Sequence, residues 1–203
     1  MQRRGGAWRD RPMLASSQGF SLPEALLAMV FGSLVALAAA KTYPLLRQQS
    51  VTLGHYYRLE LALRQLAFGI EKDLRRTGFC AGDCHGQPLL IGQHRGEANA
   101  SCVIVRYDLN RNGRWERGGS EAEQFAYRLR QGALERQRGV SHCHGGGWER
   151  LLDHQQIHID SFRIDMLPGR HRRQAVHLSL TGHATARPHI QRTLTVTVSL
   201  VLR

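Results

Sequence analysis

The sequence predicts an α+β fold: one long N-terminal α-helix, transmembrane in its first half, packed on a C-terminal antiparallel β-sheet. Three observations lead there. A predominantly apolar run, Ala25 to Ala40, lies behind a basic N-terminal stretch. A stripe of large aliphatic residues at helical spacing continues after it. The pattern then changes to alternating segments separated by glycine- and arginine-rich connections. With 203 residues, 42% of them hydrophobic, the chain suits one ordinary domain and an appendage.

The N-terminal stretch carries Arg3, Arg4, Arg9 and Arg11 against a single acid, Asp10. As helix, the 21 residues from Phe20 to Ala40 would measure roughly 30 Å, enough to cross a bilayer core. Basic residues ahead of the run place the N-terminus in the cytoplasm. Ala38-Ala39-Ala40 could serve as a secretory cleavage site, but the run is long for a signal peptide and helical character resumes after Lys41. Glu24 argues the same way, because a charge early in a signal peptide opposes insertion.

Leu59, Leu63, Leu66, Ile70 and Leu74 form one stripe, with Arg58, Glu60, Arg64, Glu71 and Arg75 on other faces. Pro44 predicts a kink without a break, and Thr77-Gly78 a stop, so the helix runs from Phe20 to about Arg76. Strands are predicted over Ser101–Asp108, Gln124–Arg130, Ala133–Arg138, Gln156–Met166, Ala175–Thr181 and Thr193–Leu202. Between Ile159 and Phe162 the apolar phase slips, which predicts a bulge. In the last strand Leu194, Val196, Val198, Leu200 and Leu202 share a face. One antiparallel sheet lying on the helix accounts for this pattern, with 167–174 and 182–189 as basic surface loops.

The net charge of +12 is nearly all arginine, the lysines being Lys41 and Lys72. That suits acidic partners, though arginine-favouring codon usage produces it too. Arg170, Arg172, Arg173, Arg187 and Arg192 form a candidate basic face for nucleic acid, but without the interleaved aromatics that single-strand binders stack on. No phosphate loop, dinucleotide fingerprint or zinc-protease motif is present, and no serine or cysteine is visibly paired with a base. The expected class is therefore non-enzymatic, with no catalytic residues.

The four cysteines, Cys80, Cys84, Cys102 and Cys143, are even in number and downstream of the apolar run, as for disulfides in an oxidising compartment. Three connectivities are possible; the preferred one pairs Cys80 with Cys84 and Cys102 with Cys143. Zinc is the sharper alternative, with His85, His142 and His144 nearby, but the spacing matches no standard finger. Asp108, Asn110 and Asn112, followed by Gly113, reproduce the first half of a calcium loop. Gly119 stands where the bidentate glutamate belongs, so Glu116, Glu121 or Glu123 would have to complete the site. A structural calcium ion is the one cofactor considered; the plain alternative is an Asn/Gly turn.

Gly19-Phe20-Ser21-Leu22-Pro23-Glu24 ahead of an apolar helix resembles the class III signal of type IV prepilins and pseudopilins. The resemblance implies cleavage by prepilin peptidase between Gly19 and Phe20, N-methylation of Phe20, and a role for Glu24 in subunit assembly through a neighbour's amino terminus. It also implies the pilin architecture: a cleaved leader over 1–19, a transmembrane and assembly half-helix over 20–41, a periplasmic half-helix over 42–76, and a periplasmic β domain over 77–203. The segment from Arg75 through Cys80, Cys84 and Cys102 to Glu116, with Cys143 and Trp148 later, is similar to the prepilin peptidase-dependent protein B group of minor pilins. The implied function is initiation or assembly of a type IV pilus or related filament. The implied partners are the peptidase, other minor and major pilins or pseudopilins, and inner-membrane lipid, with later residence in the pilus. A tip pseudopilin of a type II secretion system and a DNA-uptake pilin remain the alternatives.

Overall fold

A computed structural model describes residue 19 and residues 21–168 and 173–201. Its elements are α1 (Leu22–Arg76), β1 (Leu89–Gly92), β2 (Cys102–Arg106), β3 (Gln124–Arg130), β4 (Ala133–Arg138), β5 (Glu149–Arg150), β6 (Ile157–Leu167), β7 (Arg173–Ala184) and β8 (Arg187–Val201). The chain forms two compact units, Met1–Gln49 and Ser50–Arg203. In the first, the described helix from Leu22 onward is exposed throughout.

The second unit holds an α+β, pilin-like arrangement. Of helix α1, Ser50–Arg76 belongs to this unit, while Pro44 lies in the helical part of the first. All five stripe residues are buried, none more than 7% exposed. They pack in a single core with Val103, Val105, Tyr127, Leu129, Phe162, Ile164, Leu178 and Val198. Thr77 and Gly78 end the helix: Gly78 adopts φ +81°, which glycine tolerates best, and its N–H leaves the helix to bond the Arg106 carbonyl at 2.9 Å.

The single expected sheet is two antiparallel sheets, one ordered β1-β2-β3-β4-β5 and one ordered β6-β7-β8. Strands β1 and β5 escape a sequence reading because they are only four and two residues long, too short to show a period. Segment 182–189 is mostly strand and not a loop: β7 and β8 extend through it and turn at Thr185 and Ala186. Its polar composition is that of a hairpin tip exposed to water. The bulge between Ile159 and Phe162 is present, as a register shift between Ile159 and Ser161. Leu194 and Val196 are half-buried and Val198 and Leu200 buried, alternating with exposed threonine and serine; Leu202 lies outside the described residues. The β3–β4 hairpin turns through Gln131 (φ 49°) and Gly132 (φ 73°), two positive-φ residues of the kind that matches strand twist.

Candidate functional site

The residues singled out by sequence fall in four places: the head of α1, the loops that follow α1 and β2, the Cys102–Cys143 bridge on the five-stranded sheet, and the basic residues of the three-stranded sheet. At the head, Gly19 is exposed, while Phe20 and the segment 1–18 lie outside the described residues. The Ser21 carbonyl accepts the Ala25 N–H at 3.1 Å, so Ser21 caps the helix and Glu24 is its third residue. Serine and glutamate at these positions match the capping-box pattern, and a carboxylate in the first turn faces the positive end of the helix dipole. From Leu22 to Ala40 Glu24 is the only charged residue, and the large side chains there are open to the surroundings. This helix is long and apolar enough to cross a membrane. Ser33 and Thr42 donate their hydroxyls back to carbonyls one turn earlier, at 2.8 Å to Val30 and 3.1 Å to Ala38. Their polar atoms are thus satisfied inside the helix, as a lipid setting requires.

Beyond the helix, Cys80 is bonded to Cys84 and Cys102 to Cys143, with Cα–Cα distances of 6.0 and 6.2 Å. Both sulfurs of the first bridge come within 4.8 Å of an Asp108 carboxylate oxygen. Bonded to each other, however, they offer no thiolate to zinc.

Loop 108–116 is organised by Asp108, which is 2% exposed. Its Oδ2 accepts the N–H groups of Ala81 and Gly113, both at 2.9 Å, and its Oδ1 accepts that of Asn112 at 3.0 Å. Burial alone would raise this carboxyl, but the N–H donors of Ala81, Gly113, Asn112 and Arg111 outweigh it and hold the pKa below the usual range. Asp108 thereby ties its own loop to the Cys80–Cys84 loop. Contact between them is close: a Cβ on Gly82 would stand 2.8 Å from the Gly113 Cα, and Gly113 has φ +80°. The Asn110 and Asn112 Oδ1 atoms accept the N–H groups of Asn112 and Arg114 at 3.0 Å. The three side chains expected as calcium ligands thus accept N–H bonds from this loop and from Ala81.

The carboxylates that sequence listed only as substitutes are placed differently. Glu123 is fully buried, and its Oε1 accepts the N–H groups of Leu109 and Asn110. Its backbone N–H donates to the Glu116 carbonyl at 2.8 Å, which brings the two side chains together. Burial pushes the Glu123 carboxyl up and the facing Glu116 pushes it further, against the lowering effect of the two N–H donors. Glu116 is shifted down, first by the Asn112 side-chain amide. Trp115 anchors this end by donating its Nε1–H to the Phe79 carbonyl at 3.1 Å.

A family model described as prepilin peptidase-dependent protein B matches residues 52–200. The protein of that name from Escherichia coli (strain K12) is 38% identical over 154 residues, covering 75% of this chain and 79% of that protein. No solved structure matches.

The chain belongs to the prepilin peptidase-dependent protein B family.

The family match takes in the leucine stripe, both disulfides and the Asp108 loop, while the Gly19-to-Glu24 motif lies ahead of it. Within the matched region this family member carries two polar clusters that the sequence did not announce. Asp73, 5% exposed on α1, accepts the hydroxyls of Tyr107 at 3.0 Å and Tyr127 at 2.6 Å. It breaks the apolar stripe one residue before Leu74, which was the available signal. On the opposite face of β3, Cys102, Arg128, Glu135 and Arg150 occupy one cross-strand row. The fully buried Arg128 donates to Glu135 and to the carbonyls of Cys143 and Gly145, and lies 4.1 Å from the Trp148 ring centroid. The Cys102–Cys143 bridge and Trp148 together roof this arginine. Alternation along β3 gave no warning, because the strand is buried on both faces.

Of the basic face, Arg170 and Arg172 lie outside the described residues, as does the Arg173 side chain. Arg187 donates to Thr52 at 2.7 Å, and Arg192 lies 3.8 Å from Glu60 and over the Tyr56 ring. Both are occupied by the helix, and the aromatic found missing in sequence is supplied by it.

Proposed function

We propose that this chain is a minor type IV pilin-like subunit that prepilin peptidase processes between Gly19 and Phe20 and that takes part in initiating or assembling a pilus or related filament. The observation that carries this reading is the single carboxylate, Glu24, in the first turn of an otherwise uncharged, exposed apolar helix. Such a surface needs lipid or other apolar helices around it. A carboxylate buried among such helices needs a counter-charge, and the amino group created on a neighbour's Phe20 by cleavage would supply one. The name of the Escherichia coli relative supports dependence on the peptidase. The subunit would be held in the inner membrane with its N-terminus cytoplasmic and its β domain periplasmic, and would act by assembly.

Co-expression with prepilin peptidase tests the first step: the chain should lose its 19-residue leader, leaving 184 of 203 residues. A chain of unchanged mass would overturn the proposal. Glu24→Ala and Glu24→Gln test the second. Both should still be cleaved, and neither should co-assemble with partner pilins. Gln keeps a capping-box residue at this position but not the charge, so normal incorporation of Glu24→Gln would refute the docking role.

A further inference from the structure

We propose that Glu116 and Glu123 form a binding site for a hard divalent cation of the calcium class at the far end of the Asp108 loop. The side-chain oxygens of Asp108, Asn110 and Asn112 each accept N–H bonds that shape the turn, which leaves them less capacity for an ion than an oxygen that receives no donor. Oxygens of that second kind belong to the two glutamates. Glu123 is 0% exposed, and its Oε2 is buried with no hydrogen-bond partner. The Oε2 of Glu116 is in the same condition. The two carboxyl groups interact with each other, so two buried oxygens that receive no N–H bond lie on adjoining acidic groups.

Two features identify the ligand as a cation. First, the chain carries 28 Lys and Arg residues, yet among the described residues none pairs with Asp108, Glu116 or Glu123. Three neighbouring acidic side chains kept clear of arginine in so basic a protein leave room for a mobile positive charge. Second, every donor at hand is oxygen, and the sulfurs nearby are tied up in the Cys80–Cys84 disulfide. Oxygen donors select calcium-class ions over zinc or copper. Two carboxylates on an irregular loop suit calcium, which accepts variable geometry and completes its shell with water, better than magnesium.

The consequence is mechanical. A cation between Glu116 and Glu123 would join the end of loop 108–116 to the residue preceding β3. Through Asp108 and Trp115 it would also brace the loop after α1.

Trp115, adjacent to Glu116, makes the site directly observable. The full-length chain in detergent should show terbium emission on tryptophan excitation, reversed by calcium, and calcium should raise its melting temperature. Glu116→Gln and Glu123→Gln should each weaken terbium affinity at least tenfold and abolish the calcium-dependent melting shift. Their melting in calcium-free buffer reports whether they fold. Wild-type protein with neither emission nor a melting shift at roughly millimolar calcium would overturn the proposal. So would folded variants that bind terbium as tightly as wild type.

Discussion

The two disulfides close loops of very different length, and their removal should cost correspondingly different amounts. Cys102 and Cys143 are 41 residues apart in sequence, and Cys80 and Cys84 only 4. In the chain-entropy model a cross-link stabilises by restricting the unfolded state in proportion to the logarithm of loop length, giving about 4 kcal/mol for the long loop and about 2 kcal/mol for the short one. Packing widens the gap. Cys102 is fully buried and Cys143 nearly so, whereas Cys80 and Cys84 are half-exposed. Losing the long bridge also frees the segment whose carbonyls receive Arg128, exposing part of a buried ion pair to rearrangement. The test is urea unfolding of the full-length chain in detergent, followed by tryptophan fluorescence, for C80A/C84A and C102A/C143A. With a slope near 2 kcal/mol per molar urea, the second variant should unfold about 1 M earlier than the first. Trp148, which roofs Arg128, should report the loss of the long bridge before Trp115 does. Equal midpoints for the two variants, or a larger loss from C80A/C84A, would refute the loop-closure reasoning.

Tyr127→Phe removes one of the two hydroxyls that serve buried Asp73 and should destabilise by about 1–3 kcal/mol, the cost of an under-satisfied buried acceptor; a neutral effect in thermal melts would show that Tyr107 suffices. Burial, then the Asp73 charge, raises the Tyr107 pKa to about 12, and burial raises Tyr127 in the same direction. A raised phenol pKa means this contribution is whole below the unfolded value near ~10 and is lost as pH rises towards 12. Stability should therefore fall across that window, less steeply in Tyr107→Phe. Tyrosinate absorbance of the folded chain should show two of its five tyrosines titrating late, and simultaneous titration of all five would contradict the placement.

Sequence made legible whatever rests on period and contrast. The α1 stripe alternates with charges, so every member of it could be placed in the core. The long β8 alternation survives because one face is wet. What stayed hidden has a physical reason in each case. Strand β3 is buried on both sides, so nothing in its pattern marked Arg128, which is among the most deeply buried side chains in the unit. Its burial depends on Glu135, two carbonyls and Trp148, partners brought together only by the hairpin and the long disulfide. The candidate ion site shows a different limit. Asp108, Asn110 and Asn112 have the spacing of ligands, but spacing cannot reveal whether an oxygen faces outward or accepts the loop's own N–H groups. Glu123, 15 positions beyond Asp108, was one of three glutamates that spacing left open, and the backbone bond to Glu116 places it.

Glu24 poses the same question of partners at the other end of the molecule. As a helix-terminal residue it has local uses: a carboxylate in the first turn gains about 0.3–1 kcal/mol from the dipole, and the box with Ser21 adds an amount of similar order. Placing a carboxylate in the middle of a bilayer costs about 2.5–3.5 kcal/mol even on the most lenient scale. At three residues into α1, some ~5 Å along the axis, Glu24 would lie near the cytoplasmic edge of an inserted helix, where that cost is smaller. Local capping is thus nearly sufficient to make Glu24 tolerable in the membrane-bound subunit, and no partner is required there. The balance changes if the helix is withdrawn into a bundle of its own kind. The carboxylate would then lose access to the interface, and its capping interactions would not grow to compensate. A positive group carried by a neighbouring subunit would restore the balance, and the proposed cleavage at Gly19 would create one at the start of the same helix. On this account processing and assembly are chemically linked, because the cut that releases the basic leader also makes the amino group against which Glu24 can be buried.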